Sequence, residues 1–481
     1  MRFTTFGFLV FFIVVYLVYW SLKGRSRLLF LAIASSFFYA AWSVPFFLHF
    51  ALIVVINFIF VRILQHRKDK KNGKVLATIL TINFGNLFFF KYFYFFLQIL
   101  FDSFGWHGFQ ADEFNTALSE KFAIAAILLP LAISFYTFQI TAYVVDVSRG
   151  RIERKDSFLE FYVFILFFPQ LVAGPIMRHS DFFYQLNRII PDQNKMIRGI
   201  GLLLIGLIKK VLVADNLAAI VHPIYRQPEL YDGTSSALAI VGYSALVYSD
   251  FSGYTDLARG MGLLLGLELP ENFSGPFLSR TVSEFWRRWH ITLSTWLRDY
   301  IYIPLGGSRT NEWRSQLNLL VTFVAGGLWH GANYTFFVWG FTAGILLVIE
   351  RMIASHTKLH SLITKWSQSK ITAAVLITTG VLYSYSAFLF GAAFFNAPDV
   401  THTMTMFKRI IDQSAGIRTD TTMILAMTAV VFGFNYLQFR TKPISVRPQI
   451  AWPLLFIGSF VVIWLLGLYS PGGQSFIYFQ F

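Results

Sequence analysis

Long apolar runs separated by short polar loops recur along the whole chain of 481 residues. A run of about 20 apolar residues is long enough for an α-helix to cross the hydrocarbon core of a bilayer. The alternation over roughly 10 residues that marks the strands of an outer-membrane barrel is absent. The pattern therefore predicts an all-α polytopic membrane protein with about ten to twelve transmembrane helices and additional re-entrant and interfacial helices. Because the sequence shows no internal repeat and no soluble domain, residues 1–481 are predicted to form a single membrane-embedded domain.

The composition agrees with a membrane protein and narrows its chemistry. Hydrophobic residues make up 56% of the chain and charged residues only 14%, whereas an ordinary soluble domain has about 25% charged residues. The net charge of +15 comes from basic residues in short loops, which the positive-inside rule explains without a nucleic-acid partner. The absence of cysteine excludes a disulfide framework, a cysteine-ligated metal and an acyl-cysteine intermediate.

The charge of the loops predicts the topology. Basic loops at 23–27, 62–74 and 149–155 and an acidic loop at 102–120 alternate between the apolar runs. Because basic loops stay on the cytoplasmic side, the N-terminus is predicted to lie outside.

One segment, at 157–175, departs from this alternation. It is apolar but ends in Phe168–Pro175 and is followed by basic sequence. We expect this segment to enter the membrane and return to the same side. Non-helical backbone at membrane depth is stable only where it is buried in protein or lines a water-filled cavity. Three further spans are predicted near 371–395, 421–438 and 449–469, which places the C-terminus outside as well.

The first candidate for chemistry is His290. Apolar residues at steps of three and four predict one amphipathic helix over Thr281–Tyr300, and Thr281 and Glu284 have the spacing of a capping box at its start. Arginines beside a tryptophan-rich face are typical of a helix at the cytoplasmic interface. His290 falls on or beside the apolar stripe, either as a catalytic group or as an interfacial histidine without chemistry.

The second candidate is His330, which lies between small residues in otherwise apolar sequence. An ionisable side chain within a membrane span is costly and therefore indicates a functional site. Gly326, Gly327 and Gly331 allow a backbone or a substrate to approach closely. The sequence places His330 near the apex of a buried hairpin, with a histidine of the protein core as the alternative.

Two imidazoles predict acid–base chemistry. Histidine has an unperturbed pKa of about 6.5 and takes a proton from a hydroxyl near neutral pH. His330 deep in the protein and His290 at the rim suit acyl transfer from a thioester to an alcohol. No carboxylate or third histidine has the spacing of a metal ligand, and the G-x-S-x-G elbow of a Ser-His-acid triad is missing. We therefore predict His330 and His290 as catalytic residues and no metal site.

A polar cluster within Tyr248–Arg259 supplies further candidates. Asp256 and Arg259 are three residues apart and are predicted to pair on one helix face. Asp250 has no obvious partner nearby. Structural and substrate-lining roles are both open for these residues.

Together these residues resemble the membrane-bound O-acyltransferase superfamily and, within it, the bacterial alginate O-acetylation membrane proteins. The resemblance extends over most of the chain and is most specific within Arg280–Arg309. Leu328–Ala332 is similar to the superfamily's near-invariant histidine motif. Further similar segments are Leu131–Gln139, Phe168–Pro175 and Asp250–Ala258.

One position departs from the resemblance. Relatives often have the sequence Phe-Phe-Arg-Ala where this chain has Phe394–Ala397, so Asn396 takes the place of the arginine. In relatives that arginine is expected to position a substrate. The departure leaves the identity of the donor or the acceptor open.

The resemblance implies a ring of helices around a thinned centre with a tunnel through it. By this analogy cytoplasmic acetyl-CoA delivers its acetyl group near His330, the histidine at that position acts as base, and His290 assists. The candidates for lining the tunnel or contacting the substrate are Asp250, Tyr254, Asp256, Trp286, Trp289, Trp329 and Asn333.

The same analogy implies partners and a location. The acetyl group passes to a periplasmic, hydrolase-like (SGNH-like) O-acetyltransferase or to a cell-surface polysaccharide of the alginate, cellulose or peptidoglycan type. The protein crosses the bacterial cytoplasmic (inner) membrane many times, in contact with its lipids and with both termini periplasmic. The aromatic tail Ser475–Phe481 is expected to contact the partner.

Two other readings remain at this point. The donor could be D-alanine on a phosphopantetheine carrier protein, as in teichoic-acid modification. The chain could also be a transporter or flippase that uses intramembrane His and Asp residues as proton relays. A transporter is disfavoured because no pair of inverted repeats with broken helices is visible in the sequence.

Overall fold

The computed structural model describes residues 3–66, 72–105, 113–114, 129–186, 188–355, 369–440 and 448–470. These residues fold almost entirely into helices, with two isolated β-bridges and no strand among them. They cluster into two compact units, Met1–Arg188 and Ile189–Phe481. The tail Ser475–Phe481 and most of the acidic loop at 102–120 lie outside the described residues.

The first unit is built around a buried helix, α6. Its described helices are α1 (Phe6–Ser21), α2 (Gly24–Ala40), α3 (Val44–His66), α4 (Gly73–Leu87), α5 (Phe93–Ser103), α6 (Ile133–Ser148), α7 (Phe158–Leu166), α8 (Phe168–Leu171) and α9 (His179–Leu186). A π-helical turn, Phe88–Tyr92, joins α4 to α5. Helix α6 is buried along nearly its whole length, and α3, α4 and α7 pack against it.

The segment at 157–175 is interrupted, as its sequence predicts. Helices α7 and α8 are separated by a break at Phe167, and the residues around the break are fully buried. Gln139 Nε2 donates to the Phe164 carbonyl over 2.7 Å, and Gln170 Nε2 donates to Gln139 Oε1 over 2.9 Å. A glutamine side chain therefore donates a hydrogen bond to a backbone carbonyl that the break leaves without a partner in the helix.

The second unit is built around the 32-residue helix α12. Its described helices are α10 (Gln193–Leu207), α11 (Asp215–Arg226), α12 (Gly233–Leu264), α13 (Val282–Arg288), α14 (Ile291–Leu297), α15 (Glu312–His330), α16 (Tyr334–Ser355), α17 (Lys370–Phe395), α18 (Val400–Asp412), α19 (Thr421–Arg440) and α20 (Pro448–Tyr469). Two π-helical turns, Ile208–Ala214 and Arg298–Tyr302, follow α10 and α14. Helices α10, α11, α17, α18 and α19 pack against α12.

Six helices among the described residues are long and apolar enough to cross a membrane. They are Val44–His66, Gly73–Ser103, Tyr334–Ser355, Lys370–Phe395, Thr421–Phe439 and Pro448–Tyr469. The chain is thus a multi-pass membrane protein, although the predicted ten to twelve spans are not reached by this criterion. Other predicted spans are shorter, such as the 16-residue α1, or carry ionisable residues, such as α12.

Glycines bring helices of the second unit into backbone contact. A Cβ atom on Gly206 of α10 would lie 2.8 Å from the Gly253 carbonyl oxygen of α12. In the hairpin of α15 and α16, a Cβ atom on Gly340 would lie 2.5 Å from the Phe323 carbonyl oxygen, and one on Gly344 would lie 2.8 Å from Leu320 Cδ1. Close approach at small residues is the usual way in which helices associate in lipid.

Gly340→Ala is expected to destabilise the protein by about 1–3 kcal/mol, because the added methyl group overpacks the hairpin of α15 and α16. The measurement is the thermal unfolding midpoint of the detergent-solubilised protein. Gly433→Ala is the matched control, since a Cβ atom there would meet nothing within 4 Å. Equal midpoints for the two variants would contradict the tight packing of the hairpin.

Candidate active site

The segment that carries His290 is broken in its middle. The predicted continuous helix over Thr281–Tyr300 is wrong, because α13 ends at Arg288 and α14 begins at Ile291. His290 lies between them with φ +43° and ψ +54°, in the left-handed region. Few non-glycine residues adopt this conformation, and it persists only where the surrounding structure imposes it.

Contacts from the preceding loop impose the break. The Ile291 N–H donates to the Asn272 carbonyl oxygen over 3.0 Å. The Thr292 N–H and hydroxyl both donate to Asn272 Oδ1, over 3.2 Å and 2.7 Å. Phe273 also forms an isolated antiparallel bridge with Trp289. Asn272 therefore caps α14 and replaces the turn that a continuous helix would have there.

The start of α13 follows the sequence prediction in part. Thr281 Oγ1 accepts from the Glu284 N–H over 3.0 Å, as the capping-box spacing predicts. The reciprocal bond is different, because the Glu284 carboxylate accepts from the Arg280 N–H over 2.8 Å. The Thr281 side chain thus caps α13, while the Glu284 side chain binds the backbone of the residue before the cap.

His330 is the last residue of α15, at the turn into α16. This is the apex of a helical hairpin, where the sequence places it. Three aromatic rings surround its imidazole. The centroid distances are 4.9 Å to Trp329, 5.1 Å to Trp339 and 5.0 Å to Phe395.

The two histidine rings lie close together, with centroids 6.3 Å apart. His290 exposes 1% and His330 4% of its surface, so the prediction that His290 lies at a rim is wrong. Phe251 packs on the His290 ring with centroids 4.6 Å apart, and Trp329 lies 5.7 Å from it. Two imidazoles at this separation can act on one small group held between them.

Both histidines line one cavity of about 300 Å³. Its other lining residues are Ser283, Trp286, Arg287, Trp289, Leu293, Ser294, Leu297, Arg298, Tyr302, Leu319, Thr322, Phe323, Gly326, Trp339 and Leu347. Of all these residues, Arg287 and Arg298 are the two that are exposed. The cavity is therefore lined both by two buried imidazoles and by two exposed arginines.

Burial fixes the charge of His290, which lies outside the six membrane-spanning helices. Because withdrawal from water disfavours an imidazolium, burial lowers the pKa of His290 to about 3. The ring is therefore neutral near pH 7, with one nitrogen that donates and one that accepts. Trp286 adds a donor, since its Nε1 is buried and has no acceptor within the part of the chain that the structure describes.

The residues predicted to line the tunnel or contact the substrate differ in their position relative to the cavity. Trp286 and Trp289 line the cavity, and Trp329 packs against both histidine rings without lining it. The other candidates are absent from the cavity lining and lie elsewhere in the second unit: Asp250, Tyr254, Asp256 and Asn333.

Asn333 and Asn396 lie close to the His330 turn. Asn333 Oδ1 accepts from the Thr335 N–H over 3.1 Å, and its Nδ2 donates to the Pro398 carbonyl over 2.9 Å. These bonds hold the turn between α15 and α16 in place. Asn396 follows Phe395, whose ring contacts His330, and its Nδ2 lies 3.3 Å from His222 Nδ1.

Asp250 and Asp256 belong to a buried network of charges between α12 and the π-helical turn Ile208–Ala214. Lys209 Nζ lies 2.7 Å from Asp256 Oδ2. Lys210 Nζ lies 2.5 Å from Asp250 and 2.7 Å from Asp215. The predicted pair of Asp256 with Arg259 is wrong, because Asp256 pairs with the lysine. Charges this deep in a membrane protein need partners of this kind.

Sequence reasoning misses Lys209 and Lys210 as members of this network. Their position in the sequence indicates such a role, because two consecutive lysines interrupt the apolar run between Gly199 and Ala214. Arg259 bonds instead to Glu271, over 2.8 Å.

A family model described as MBOAT, the membrane-bound O-acyltransferase family, matches residues 147–394. This stretch contains both histidines and every residue that lines the cavity. This chain belongs to the membrane-bound O-acyltransferase family. The resemblance drawn from the motifs is thereby confirmed, and the chain is an O-acyltransferase.

Three relatives indicate the range of activities within this similarity. The chain is 35% identical to a Pseudomonas aeruginosa protein named "Probable alginate O-acetylase AlgI", over 93% of this chain and 84% of the relative. It is 36% identical to a Helicobacter pylori protein named peptidoglycan O-acetyltransferase, over 69% and 65% of the two chains. It is 27% identical to a Bacillus subtilis protein named teichoic acid D-alanyltransferase, over 56% and 70%.

Membership of the acyltransferase family bears on the chemistry of the site. The names of the three relatives describe acyl transfer. They therefore support an enzyme and do not support the alternative of a transporter or flippase. No group of three His, Asp or Glu side chains among the described residues could hold a metal ion.

In this acyltransferase, Lys209→Met is expected to lower the free energy of unfolding by about 3–5 kcal/mol, because it leaves Asp256 buried without its cation. The double variant K209M/D256N removes both charges and should regain more than half of that loss. The measurement is the thermal midpoint of the solubilised protein.

The control for this network is Arg198→Met, which breaks a half-exposed pair with Glu268 and should cost about 0–1 kcal/mol. A double variant as unstable as K209M alone would contradict the electrostatic role of the pair.

Proposed function

We propose that this acyltransferase takes an acetyl group from cytoplasmic acetyl-CoA and passes it to the periplasmic side of the bacterial inner membrane. The acceptor is a periplasmic SGNH-like O-acetyltransferase or a cell-surface polysaccharide of the alginate, cellulose or peptidoglycan type. Both termini of the chain are periplasmic in this proposal. The observation that carries it is the single cavity that joins two buried histidines to two exposed arginines.

The residues that line the cavity suit both the acyl arm and the phosphates of a CoA thioester. Aromatic and aliphatic residues around the histidines can hold the acetyl group and the pantetheine arm. Arg287 Nε donates to the Ser283 carbonyl over 3.3 Å, and Arg298 Nε donates to Asp299 over 2.8 Å. The terminal guanidinium nitrogens are then the donors for the phosphates of CoA.

In the proposed reaction, His330 accepts the proton of the acceptor hydroxyl while the hydroxyl oxygen bonds to the acetyl carbonyl carbon. The carbon–sulfur bond then breaks, its electron pair leaves with the sulfur of CoA, and the imidazolium returns the proton to that sulfur. His330 ends α15, where the partial negative charge of a helix C-terminus stabilises an imidazolium. Neutral His290 and Trp286, which line the same cavity, are the proposed donors to the developing oxyanion.

Names of the relatives support an acetyl group delivered to a glycan. The Pseudomonas aeruginosa and Helicobacter pylori relatives are named for alginate and peptidoglycan acetylation. The Bacillus subtilis relative favours a second candidate, transfer of D-alanine to teichoic acid. A phosphopantetheine arm on a carrier protein brings one phosphodiester instead of the several phosphates of CoA, so the two arginines favour CoA.

His330→Ala is expected to lower the rate of acetyl transfer by about 100-fold to 10,000-fold, since it removes the general base. The measurement uses inverted membrane vesicles with labelled acetyl-CoA, and it follows the label into polysaccharide and into protein. His290→Ala is expected to cause a smaller loss.

The matched control is His402→Ala, because His402 does not line the cavity and its side chain bonds to Asp399 in the described structure. It should transfer at the wild-type rate. Wild-type transfer by H330A, at normal expression, would contradict the role of His330.

The double variant R287A/R298A is expected to raise the KM for acetyl-CoA by tenfold or more, because each charge-assisted bond to phosphate contributes about 1.5–3 kcal/mol. The KM for S-acetyl-N-acetylcysteamine should not change, since this short thioester lacks the phosphates. Steady-state kinetics with both donors measure the difference.

Arg314→Ala is the control for charge, because Arg314 is exposed but does not line the cavity. An equal rise in KM for the two donors would mean that the arginines do not bind phosphate.

A further inference from the structure

The start of the His290 segment is held by a carboxylate from another helix. In the first turn of α13, the Val282 N–H donates to Glu350 Oε1 over 2.6 Å and the Ser283 N–H donates to Glu350 Oε2 over 2.9 Å. The first N–H groups of a helix have no partner within the helix. One α16 carboxylate therefore binds both of them, in bonds strengthened by its charge.

The end of the same segment is held by the next residue of α16. Arg351 Nη1 donates to the Tyr302 hydroxyl over 3.1 Å. Tyr302 belongs to the π-helical turn Arg298–Tyr302 and lines the cavity. Its hydroxyl also lies 3.3 Å from Ser315 Oγ of α15. Two consecutive residues of α16 thus hold the two ends of Val282–Tyr302, whose middle is His290.

Helix α17 supports the first of these attachments. Ser384 Oγ of this helix donates to the Thr281 carbonyl over 3.1 Å. A Cβ atom on Gly380 would lie 2.8 Å from the Arg280 carbonyl oxygen. The chain entering α13 is therefore pressed against α17 while its N–H groups bind Glu350.

The attachment to α16 relates His290 to His330. Helices α15 and α16 are in backbone contact at Gly340, and His330 is the last residue of α15. The hairpin therefore carries one histidine and holds both ends of the segment that carries the other. Helices α13 and α14 have seven residues each, too few to be stable without tertiary contacts.

We propose that Glu350 and Arg351 are positioning residues, which set the distance and orientation of His290 relative to His330. They act through the backbone of α13 and through Tyr302, since neither residue lines the cavity. This role rests on the proposed function, in which both imidazoles serve one transfer. Displacement of a catalytic group by about 1 Å lowers a rate by about 100-fold without changing the groups that bind substrate.

The test compares Glu350→Gln with Glu312→Gln. An amide at position 350 can accept only one of the two N–H groups and turns a donor toward the other. E350Q is expected to lower kcat for acetyl transfer by about tenfold to 100-fold. The KM for acetyl-CoA should rise by a smaller factor, because Arg287 bonds to the Ser283 carbonyl in the same turn. Glu312 is exposed at the start of α15, and its carboxylate accepts from Gln316 over 3.5 Å, so E312Q should match the wild type.

Arg351 has its own pair of variants. Arg351→Met removes the donor to Tyr302 and should lower kcat, whereas Arg351→Lys keeps a donor there and should restore part of the loss. An R351K variant no better than R351M would overturn the role assigned to Arg351.

Hydrogen exchange separates positioning from loss of fold. In E350Q, peptides covering 281–290 should exchange faster, while those covering 312–330 should be unchanged. Faster exchange in both regions, or wild-type kcat in E350Q, would overturn the positioning role. If the wild-type protein transferred no acetyl group, the proposed function would fail, while the exchange data would still test the attachment of α13 to Glu350.

Discussion

Held in the left-handed region, the backbone of His290 turns the chain between α13 and α14 and brings an imidazole beside His330. A continuous helix over the same residues would direct successive side chains around its axis and could not combine a cap from Asn272 with the packing of Trp289 on Phe273. The conformation costs free energy for a residue with a Cβ atom. It is maintained because contacts from the preceding loop, from α16 and from α17 all converge on this segment.

In each of the two units, several buried polar groups have a hydrogen-bond or ion-pair partner in apolar surroundings. Backbone at the break in the first unit is bonded by glutamine side chains, and the lysines of the π-helical turn are bonded by aspartates of α12. An unpartnered charge would be much more costly in lipid than at a water-exposed surface. These buried polar residues therefore occur as pairs and networks, which fix the relative positions of the segments that carry them.

The sequence is a good guide to features that depend on local pattern. Apolar length predicts the spans that coincide with α17, α19 and α20. The return of the chain to the cytoplasmic side on both sides of His330 predicts a hairpin apex there. It is a poor guide where long-range contacts override local preference. The periodicity around His290 favours a helix, and contacts from Asn272 and Phe273, which lie in the preceding loop, break it. Asp256 has a suitable cation three residues away in Arg259, yet it bonds to Lys209 because the π-helical turn brings that lysine against α12.

The size of the cavity has a consequence for competing reactions. A volume of about 300 Å³ has room for about ten water molecules at the density of the liquid. Water beside an activated thioester is itself an acceptor, and a general base does not distinguish its proton from that of an alcohol. A donor whose arm fills the space between the arginines and the histidines would displace this water as it binds. Such a donor would protect its own acyl group from hydrolysis until the acceptor arrives.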